Sequence, residues 1–179
     1  MILSLCLNPA IDKSIYLDDF TIGQTNRSIR EVQKPGGKGI NCAGVLAGLG
    51  LDVRVASFIS SADEPQIASV LQGWGSSLKA VHVGERLRIN LKLIDKSRGE
   101  VTEINAAGPQ VSQQHLEQMS AMIQEMAPGC EWVLLSGSMP PGCPDDYYQS
   151  LMRLIRDAAP SCRIALDVPG EPFRLGLLE

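Results

Sequence analysis

The chain has 179 residues, of which 44% are hydrophobic and 20% are charged, and its formal net charge at pH 7 is −4. This length suits one domain with a buried core. The composition is typical of a soluble globular protein and excludes a disordered chain, a solenoid and a coiled coil. The acidic balance argues against a nucleic-acid binder, which normally presents a basic face. It leaves room for a small anionic ligand that a few local cations can hold.

The cysteines and the N-terminal segment bear on compartment and membrane association. The cysteine count is five, no pair has the C-x-x-C spacing, and there are only two histidines. Neither a disulfide framework nor a structural metal site is therefore indicated, and we expect reduced cysteines in the cytoplasm. The apolar run at residues 2–7 is too short for a signal peptide or a membrane-spanning helix, so we expect no membrane association.

Taken in chain order, short apolar runs alternate with segments of helical spacing. The runs that predict buried strands lie at residues 2–7, 53–59, 78–83, 132–136 and 163–168. The segments that predict helices lie at residues 40–49, 66–74, 112–127 and 144–159, with a last helix after Gly170. This alternation predicts one α/β domain over residues 1–179, built on a doubly wound, mostly parallel sheet.

Four further strand candidates do not fit the alternation, at residues 14–18, 28–33, 88–94 and 100–105. In the third of them Ile89 and Leu91 share one face, whereas Asn90 and Lys92 share the other. A turn at residues 97–99 joins it to the fourth, which predicts a β-hairpin with one polar face. We expect these strands to form a separate small sheet that acts as a lid.

The strongest local signal is the glycine-rich turn at residues 35–41, Pro-Gly-Gly-Lys-Gly-Ile-Asn. Glycines allow close backbone approach and positive φ, and a turn that opens a helix can receive an anion on its free N–H groups. Lys38 and Asn41 add side-chain donors. The turn is not a Walker A loop, because Gly39 follows Lys38, nor a dinucleotide fingerprint, because Cys42 stands at the last glycine position. A turn that only packs strand against helix remains an alternative.

The turn and its surroundings resemble a known family. Residues 36–43, Gly-Gly-Lys-Gly-Ile-Asn-Cys-Ala, with Gly50 seven residues on, resemble the first signature of the phosphofructokinase B family of ribokinase-like carbohydrate kinases. Further matches follow the family's order at residues 7–12, 88–90, 102–105 and 136–142, with a weaker one at 167–171. Together they span nearly the whole chain.

The resemblance implies a ribokinase-like fold and a cytoplasmic kinase that transfers the ATP γ-phosphoryl group to a phosphorylated ketohexose, with ATP and Mg²⁺ as cofactors. The Asn-Pro-Ala-Ile-Asp, Arg-Ile-Asn and Thr-Glu-Ile-Asn segments are most similar to members that convert fructose 1-phosphate to fructose 1,6-bisphosphate. Tagatose 6-phosphate and fructose 6-phosphate are the alternative substrates. The resemblance also implies a possible homodimer through the lid strands and no nucleic-acid partner.

The resemblance further implies a set of substrate-binding residues. They are Asp12, Arg27, Gly36, Gly37, Lys38, Gly39, Asn41, Arg88, Asn90 and Ser138. We expect Asp12 just past the C-terminal end of the first strand, where α/β sheets bind ligands and a carboxylate can accept sugar hydroxyls. The guanidinium groups of Arg88 and Arg27 suit a phosphate. A turn role for Asp12 and solvated strand charges for the arginines are the alternatives.

Three other positions complete the expected site. Ser138 follows a buried strand and is expected to touch the sugar, with a simple turn role as the alternative. Glu103 and Asn105 lie on the return strand of the hairpin and are expected to support the lid.

The sequence also departs from the family pattern. Residues 60–65 replace a glycine-rich stretch and place two carboxylates near a site for anions, and Val168-Pro169 replaces a pair of small hydroxyl residues. The Lys-Pro-Asn, Asn-x-x-Glu and Gly-Ala-Gly-Asp segments of the nucleotide side are missing, so no catalytic residue is assigned. We therefore expect the N-terminal portion of a kinase, inactive alone and not binding ATP or Mg²⁺ by itself. A non-catalytic sugar-phosphate-binding or dimerisation module is the alternative.

Overall fold

A parallel sheet of five strands forms the centre of the computed structural model, which describes residues 1–179. Its strands are β1 (Ile2–Cys6), β4 (Val53–Ile59), β5 (Ser77–His82), β8 (Trp132–Ser136) and β9 (Arg163–Asp167). Their order in space is β5-β4-β1-β8-β9. The chain leaves β1 toward one edge of the sheet and later returns to build the other edge. The predicted doubly wound parallel sheet is confirmed.

Helices cover both faces of this sheet. On one face lie α1 (Lys38–Gly48) and α2 (Glu64–Gly73), and on the other lie α3 (Gln113–Met126) and α4 (Tyr147–Ala158), with α5 (Glu171–Gly176) against α4. Each face has its own apolar cluster. Ile40 and Ile67 belong to the cluster on the first face, and Met119 and Leu151 belong to the cluster on the second. Because the strands are buried on both faces, they read in the sequence as unbroken apolar runs.

The predicted start of the third helix shows how a local signal sets a boundary. Ser112 is the N-cap of α3, and its hydroxyl accepts a hydrogen bond from the His115 N–H. The Nδ1 atom of His115 in turn accepts from the Ser112 N–H at 3.1 Å. This reciprocal pair satisfies two N–H groups that the first turn of a helix leaves free.

The four extra strands form a separate sheet, as predicted. They are β2 (Ala10–Leu17), β3 (Arg30–Gly36), β6 (Arg88–Asp95) and β7 (Glu100–Asn105), in the order β3-β2-β6-β7. The middle strands β2 and β6 are parallel, and both outer pairs are antiparallel.

The position expected for Asp12 is corrected by the start of β2. That strand begins directly after Pro9, and Asp12 lies inside it, opposite Lys34 on β3 and Asn90 on β6. The sequence predicted the first strand of the small sheet at residues 14–18, so Asp12 was expected outside any strand. The turn at Asn8-Pro9 is present, but it leads directly into β2, which starts at Ala10.

One face of the small sheet carries exposed apolar side chains. Ile89 on β6 and Ile104 on β7 share this face and are each about half exposed, whereas the exposed Val101 lies on the opposite face, and every residue of β7 is exposed. None of the helices has both the length and the apolar character that crossing a bilayer requires.

Candidate functional site

A cavity of about 290 Å³ opens at the carboxyl ends of β1 and β8, between the two sheets. These neighbouring strands are the ones from which the chain runs to opposite edges of the parallel sheet. Open α/β sheets bind ligands at such a switch point. The cavity is lined by Cys6, Asn8, Lys38, Arg88, Asn90, Asn105, Ser136, Gly137, Ser138 and Pro169.

The cavity brings together four of the predicted substrate residues, namely Lys38, Arg88, Asn90 and Ser138, and it adds Asn105, which was expected only to support the lid. The other predicted residues do not line it. Arg27 is exposed in the segment between β2 and β3, and Asn41 is exposed on α1, where it lines a different groove beside Trp74. Glu103 is exposed on β7 and pairs with Lys92 on β6, its Oε1 atom 3.1 Å from Nζ.

Asp12 does not line the cavity but contacts Asn90, which does. Its side chain is buried, and its Oδ1 atom accepts a hydrogen bond from Asn90 Nδ2 at 2.9 Å. The carboxylate lies against Gly36, where an added Cβ would overlap it. Asp12 therefore orients Asn90, and the lack of a side chain at Gly36 makes room for it.

The glycines of the turn are explained by close packing of α1 on β1. Gly37 has φ +109°, and a Cβ there would come within 2.6 Å of Cys6 Sγ, while a Cβ at Gly39 would overlap the Leu5 carbonyl oxygen. Burial raises the pKa of Cys6 to about 11, although the N–H groups of Ile40 and Gly39 lower it. The thiol is thus protonated at neutral pH.

Arg88 joins the small sheet to the core. Its Nη1 atom donates to the Ala106 carbonyl oxygen at 3.0 Å, and its Nη2 atom donates to the Asn8 carbonyl oxygen at 3.1 Å. Burial lowers the pKa of Arg88, against the opposing effect of Cys6 and Asp12. Since an arginine keeps its proton in proteins, a fixed positive charge stands at the cavity wall.

Asn8 is a lining residue that the sequence reasoning did not select. Its Nδ2 atom donates to the Ala107 carbonyl oxygen at 2.9 Å, to the Met139 carbonyl oxygen at 3.3 Å and to Ser138 Oγ at 3.4 Å. It ties the end of β1 to the segment after β7 and to the turn after β8. Its place directly after the first buried strand was an available signal, because ligand-binding residues gather at the carboxyl ends of parallel strands.

Three buried side-chain atoms in the chain have no hydrogen-bond partner: Asn8 Oδ1, Arg88 Nε and Asn90 Oδ1. All three residues line this cavity. The orientation of both amides is fixed, since each Nδ2 atom faces acceptor oxygens. A buried polar atom without a partner costs about 1–3 kcal/mol and is uncommon in folded proteins. Three residues of the cavity lining thus each carry one buried atom without a partner, and one of these atoms, Asn8 Oδ1, lies against Gly108, where an added Cβ would overlap it.

An ion pair spans the mouth of the cavity. Lys38 Nζ lies 2.9 Å from Asp167 Oδ1, and both side chains are more than half exposed. Such pairs contribute little to stability because water screens them. Lys38 can therefore exchange Asp167 for an anion in the cavity at small cost.

The carboxylates of residues 60–65 do not face the cavity, which corrects the expectation that they crowd an anion site. The Asp63 side chain is buried and bonded to Ser60, Arg86 and the Leu87 N–H. Glu64 pairs with His82, with 2.6 Å between Oε2 and Nε2. Both carboxylates thus have hydrogen-bond partners within the loop and its neighbours.

A magnesium–nucleotide complex needs free carboxylate oxygens beside the phosphates. The structure has no group of three His, Cys, Asp or Glu side chains that could hold a metal ion. The carboxylates of Asp12 and Asp167, which contact the lining residues Asn90 and Lys38, are already engaged by them. The donor set of this cavity does not by itself fit such a complex.

The fold and the site define a ribokinase-like α/β protein with a polar cavity between its two sheets. The chain belongs to the pfkB family of carbohydrate kinases, whose domain matches residues 6–179. It is 31% identical to the 1-phosphofructokinase of Bacillus subtilis over 171 residues, which are 96% of this chain and 54% of the relative. It is 29% identical to the tagatose-6-phosphate kinase of Staphylococcus epidermidis over 157 residues, or 88% of this chain and 50% of the relative.

Solved structures agree with this assignment. A possible 1-phosphofructokinase from Thermotoga maritima superposes with a TM-score of 0.89 at 25% identity, over 99% of this chain and 57% of that one. The tetrameric inhibited form of phosphofructokinase-2 from Escherichia coli has the same TM-score at 24% identity, with the same coverage, and supports the fold. The chain spans about half the length of the relatives it matches.

Proposed function

We propose that the cavity binds the phosphorylated ketohexose that a sugar-phosphate kinase uses as its acceptor, with fructose 1-phosphate as the preferred ligand. The observation that carries this proposal is the lining of the cavity, in which two cationic side chains, Lys38 and Arg88, stand beside the polar groups of Asn90 and Ser138. A sugar phosphate carries anionic oxygens for the cations and hydroxyl groups for the amide and the serine hydroxyl. Apolar ligands and simple anions each satisfy only part of this set.

The contacts assign roles within the proposed site. Arg88 and Lys38 bind the phosphate, and Asn90, held in place by Asp12, contacts the sugar. Ser138 and Asn105 add polar groups to the wall. A direct ligand role for Arg27, Gly36, Gly37, Gly39 and Asn41 stays a prediction, since these residues do not line the cavity.

We further propose that the reaction of the whole kinase is ATP-dependent formation of fructose 1,6-bisphosphate, with Mg²⁺. These residues supply its acceptor side: they bind the sugar, orient it and place positive charge beside its phosphate. No carboxylate or imidazole, the groups that most often act as general base for an attacking hydroxyl, is among the residues that line the cavity. The 179-residue chain alone should therefore bind sugar phosphate without turning it over.

Calorimetry on the 179-residue chain tests the binding site. Fructose 1-phosphate should bind more tightly than tagatose 6-phosphate, fructose 6-phosphate, fructose or inorganic phosphate. Asn90→Ala should weaken binding by about tenfold or more, the worth of one hydrogen bond in a buried site. Gln118→Ala, which removes an exposed amide on α3 outside the cavity, serves as the matched control and should leave binding unchanged. Loss of binding in Asn41→Ala but not in Asn90→Ala would place the site elsewhere.

A coupled assay tests the catalytic part of the proposal. The pure 179-residue chain, given ATP, Mg²⁺ and fructose 1-phosphate, should show no turnover above the background without protein. Measurable turnover would contradict the proposal that the chain supplies only the acceptor side.

The exposed apolar face of the small sheet favours a second candidate function, assembly into a homodimer. Ile89 and Ile104 lie on the same face of neighbouring strands and together present exposed apolar surface of the kind that marks protein interfaces. Sedimentation should show a dimer that Ile104→Lys converts to a monomer. A wild-type chain that is monomeric at all concentrations would remove this candidate.

A further inference from the structure

We infer that Asp63 is a positioning residue for Arg88, because it fixes the backbone from which that arginine reaches the cavity. Asp63 lies at the start of α2, on the large sheet's side of the molecule, whereas Arg88 is the first residue of β6. The effect on sugar-phosphate binding rests on the proposed function, but the effect on Arg88 itself does not.

The Asp63 carboxylate is 3% exposed and uses both oxygens on a few nearby donors. Its Oδ2 atom accepts from Ser60 Oγ at 2.6 Å and from the Leu87 N–H at 2.8 Å. Its Oδ1 atom accepts from Arg86 Nε at 2.7 Å. Two of these donors belong to the residues that immediately precede Arg88.

Asp63 makes these contacts instead of capping its own helix. Asp63 is the N-cap residue of α2, yet its side chain makes no capping hydrogen bond. An aspartate at that position usually accepts from N–H groups of the first turn. Here the carboxylate points to the segment that connects β5 to β6 instead, so α2 and the small sheet are joined through it.

Arg88 is consequently held from two sides. Leu87 is buried beside it, and its N–H is bound by Asp63. The guanidinium is bound by the carbonyl oxygens of Asn8 and Ala106. An arginine fixed at both its backbone and its head group loses little rotamer freedom on binding a phosphate, which favours affinity.

The charge of Asp63 strengthens this arrangement. Burial raises the pKa of Asp63, but the hydrogen bonds from Arg86, Ser60 and the Leu87 N–H outweigh burial and hold that pKa below its ordinary value. The group is thus ionised at neutral pH, and hydrogen bonds to an ionised acceptor are stronger than neutral ones.

The other end of the same strand offers a matched control. Asp95, the last residue of β6, is also buried, at 4% exposed. It accepts from the N–H groups of Phe20 at 3.0 Å, Ser97 at 2.9 Å and Arg98 at 3.1 Å. Asp63→Asn and Asp95→Asn therefore each replace a buried carboxylate that accepts backbone hydrogen bonds, one before the start of β6 and the other at its end.

Nuclear magnetic resonance on the ¹⁵N-labelled 179-residue chain decides between positioning and general stability. Asp63→Asn should speed hydrogen exchange of the Leu87 amide by about tenfold or more, since local opening controls that exchange, and should shift the Arg88 Nε–H resonance. Asp95→Asn should leave both signals as in the wild type. Unchanged signals in folded Asp63→Asn, or equal changes in the two variants, would overturn the inference.

A second variant keeps the test decisive if Asp63→Asn does not fold. Arg86 is 71% exposed in its side chain, so Arg86→Gln should fold, and it should change the same two signals in the same direction by a smaller amount. No change in Arg86→Gln would then count against the inference.

Calorimetry with fructose 1-phosphate adds the functional consequence. The dissociation constant should rise about tenfold in Asp63→Asn and stay within twofold of wild type in Asp95→Asn, the scale of one lost hydrogen bond. A wild-type chain that does not bind fructose 1-phosphate would refute the proposed function, while the resonance measurements would still decide the role of Asp63. Normal binding by Asp63→Asn with altered Arg88 signals would overturn the link to affinity.

Discussion

The two sheets of this molecule are held by different interactions. The parallel sheet is covered by helices on both faces, and side chains such as Leu3, Phe58 and Leu135 are fully buried. The small sheet leaves β7 exposed along its whole length and carries cross-strand ion pairs, such as the one between Lys13 and Glu31, with 2.8 Å between Nζ and Oε2.

The difference bears on the cavity that lies between the sheets. Its floor comes from the apolar sheet, whose stability comes from removing surface from water. Its roof comes from the small sheet, whose stability depends more on charged and hydrogen-bonded groups. We therefore expect the floor to be insensitive to pH and salt and the roof to respond to both.

The largest expected effect is a cavity in the parallel sheet. Phe58→Ala on β4 removes a fully buried ring and should lower the free energy of unfolding by about 3–5 kcal/mol. Val101→Ala on β7, where the side chain is 56% exposed, should change it by less than about 0.5 kcal/mol. Urea denaturation measures both. Similar losses in the two variants would show that the small sheet is buried in solution, as a dimer would make it.

A smaller effect is expected from acid on the small sheet. The Phe20 N–H, with help from Ser97 and Arg98 and against burial, lowers the pKa of Asp95 from 3.8 to about 2. A carboxyl whose folded pKa lies below its unfolded value stabilises the fold above the unfolded pKa and loses that contribution as pH falls through the folded one. Stability should therefore drop between about pH 4 and pH 2.

Urea unfolding at a series of pH values, with Asp95→Asn beside the wild type, checks this prediction. The variant should be less stable at neutral pH and should show a flatter dependence in that window. Asp145→Asn, which alters an exposed carboxylate between β8 and α4, should follow the wild type. A variant curve parallel to that of the wild type would show that Asp95 does not carry the acid response.

The smallest effect is expected from the ion pair between Lys92 and Glu103. Glu103 raises the pKa of Lys92 through their hydrogen bond, but the pair is partly exposed. A double-mutant cycle with Lys92→Met and Glu103→Gln should give a coupling of about 0.2–1 kcal/mol, reduced in 1 M salt. A coupling that salt does not reduce would indicate a pair shielded from solvent.

The sequence predicts the strands of the buried parallel sheet more accurately than those of the small sheet. The predicted bounds of β4 and β8 match the structure, because strands buried on both faces are unbroken apolar runs between turn signals. The start of β2 was missed by four residues. Its first residues, Ala10 to Asp12, pair with a strand nearly eighty residues away, and that pairing has no local signature.

The candidate site divides in a similar way. Family motifs pointed to Lys38, Arg88, Asn90 and Ser138, and the structure places all four at one cavity. The contacts of Asn8 with residues 107, 138 and 139 span about a hundred residues of chain or more. No spacing rule within a single segment could have found them.

The sequence by itself determined the doubly wound core, the separate small sheet and the family, because apolar periodicity and motif order are properties of short segments. Only the tertiary structure decided that Asn8, Arg88 and Asn90 line one cavity, that Asn41 lines a different groove, and that the Asp63 carboxylate is turned toward Leu87. These outcomes depend on which side chains meet across the two sheets. Burial and hydrogen-bond partners are set by chain segments that lie far apart in sequence.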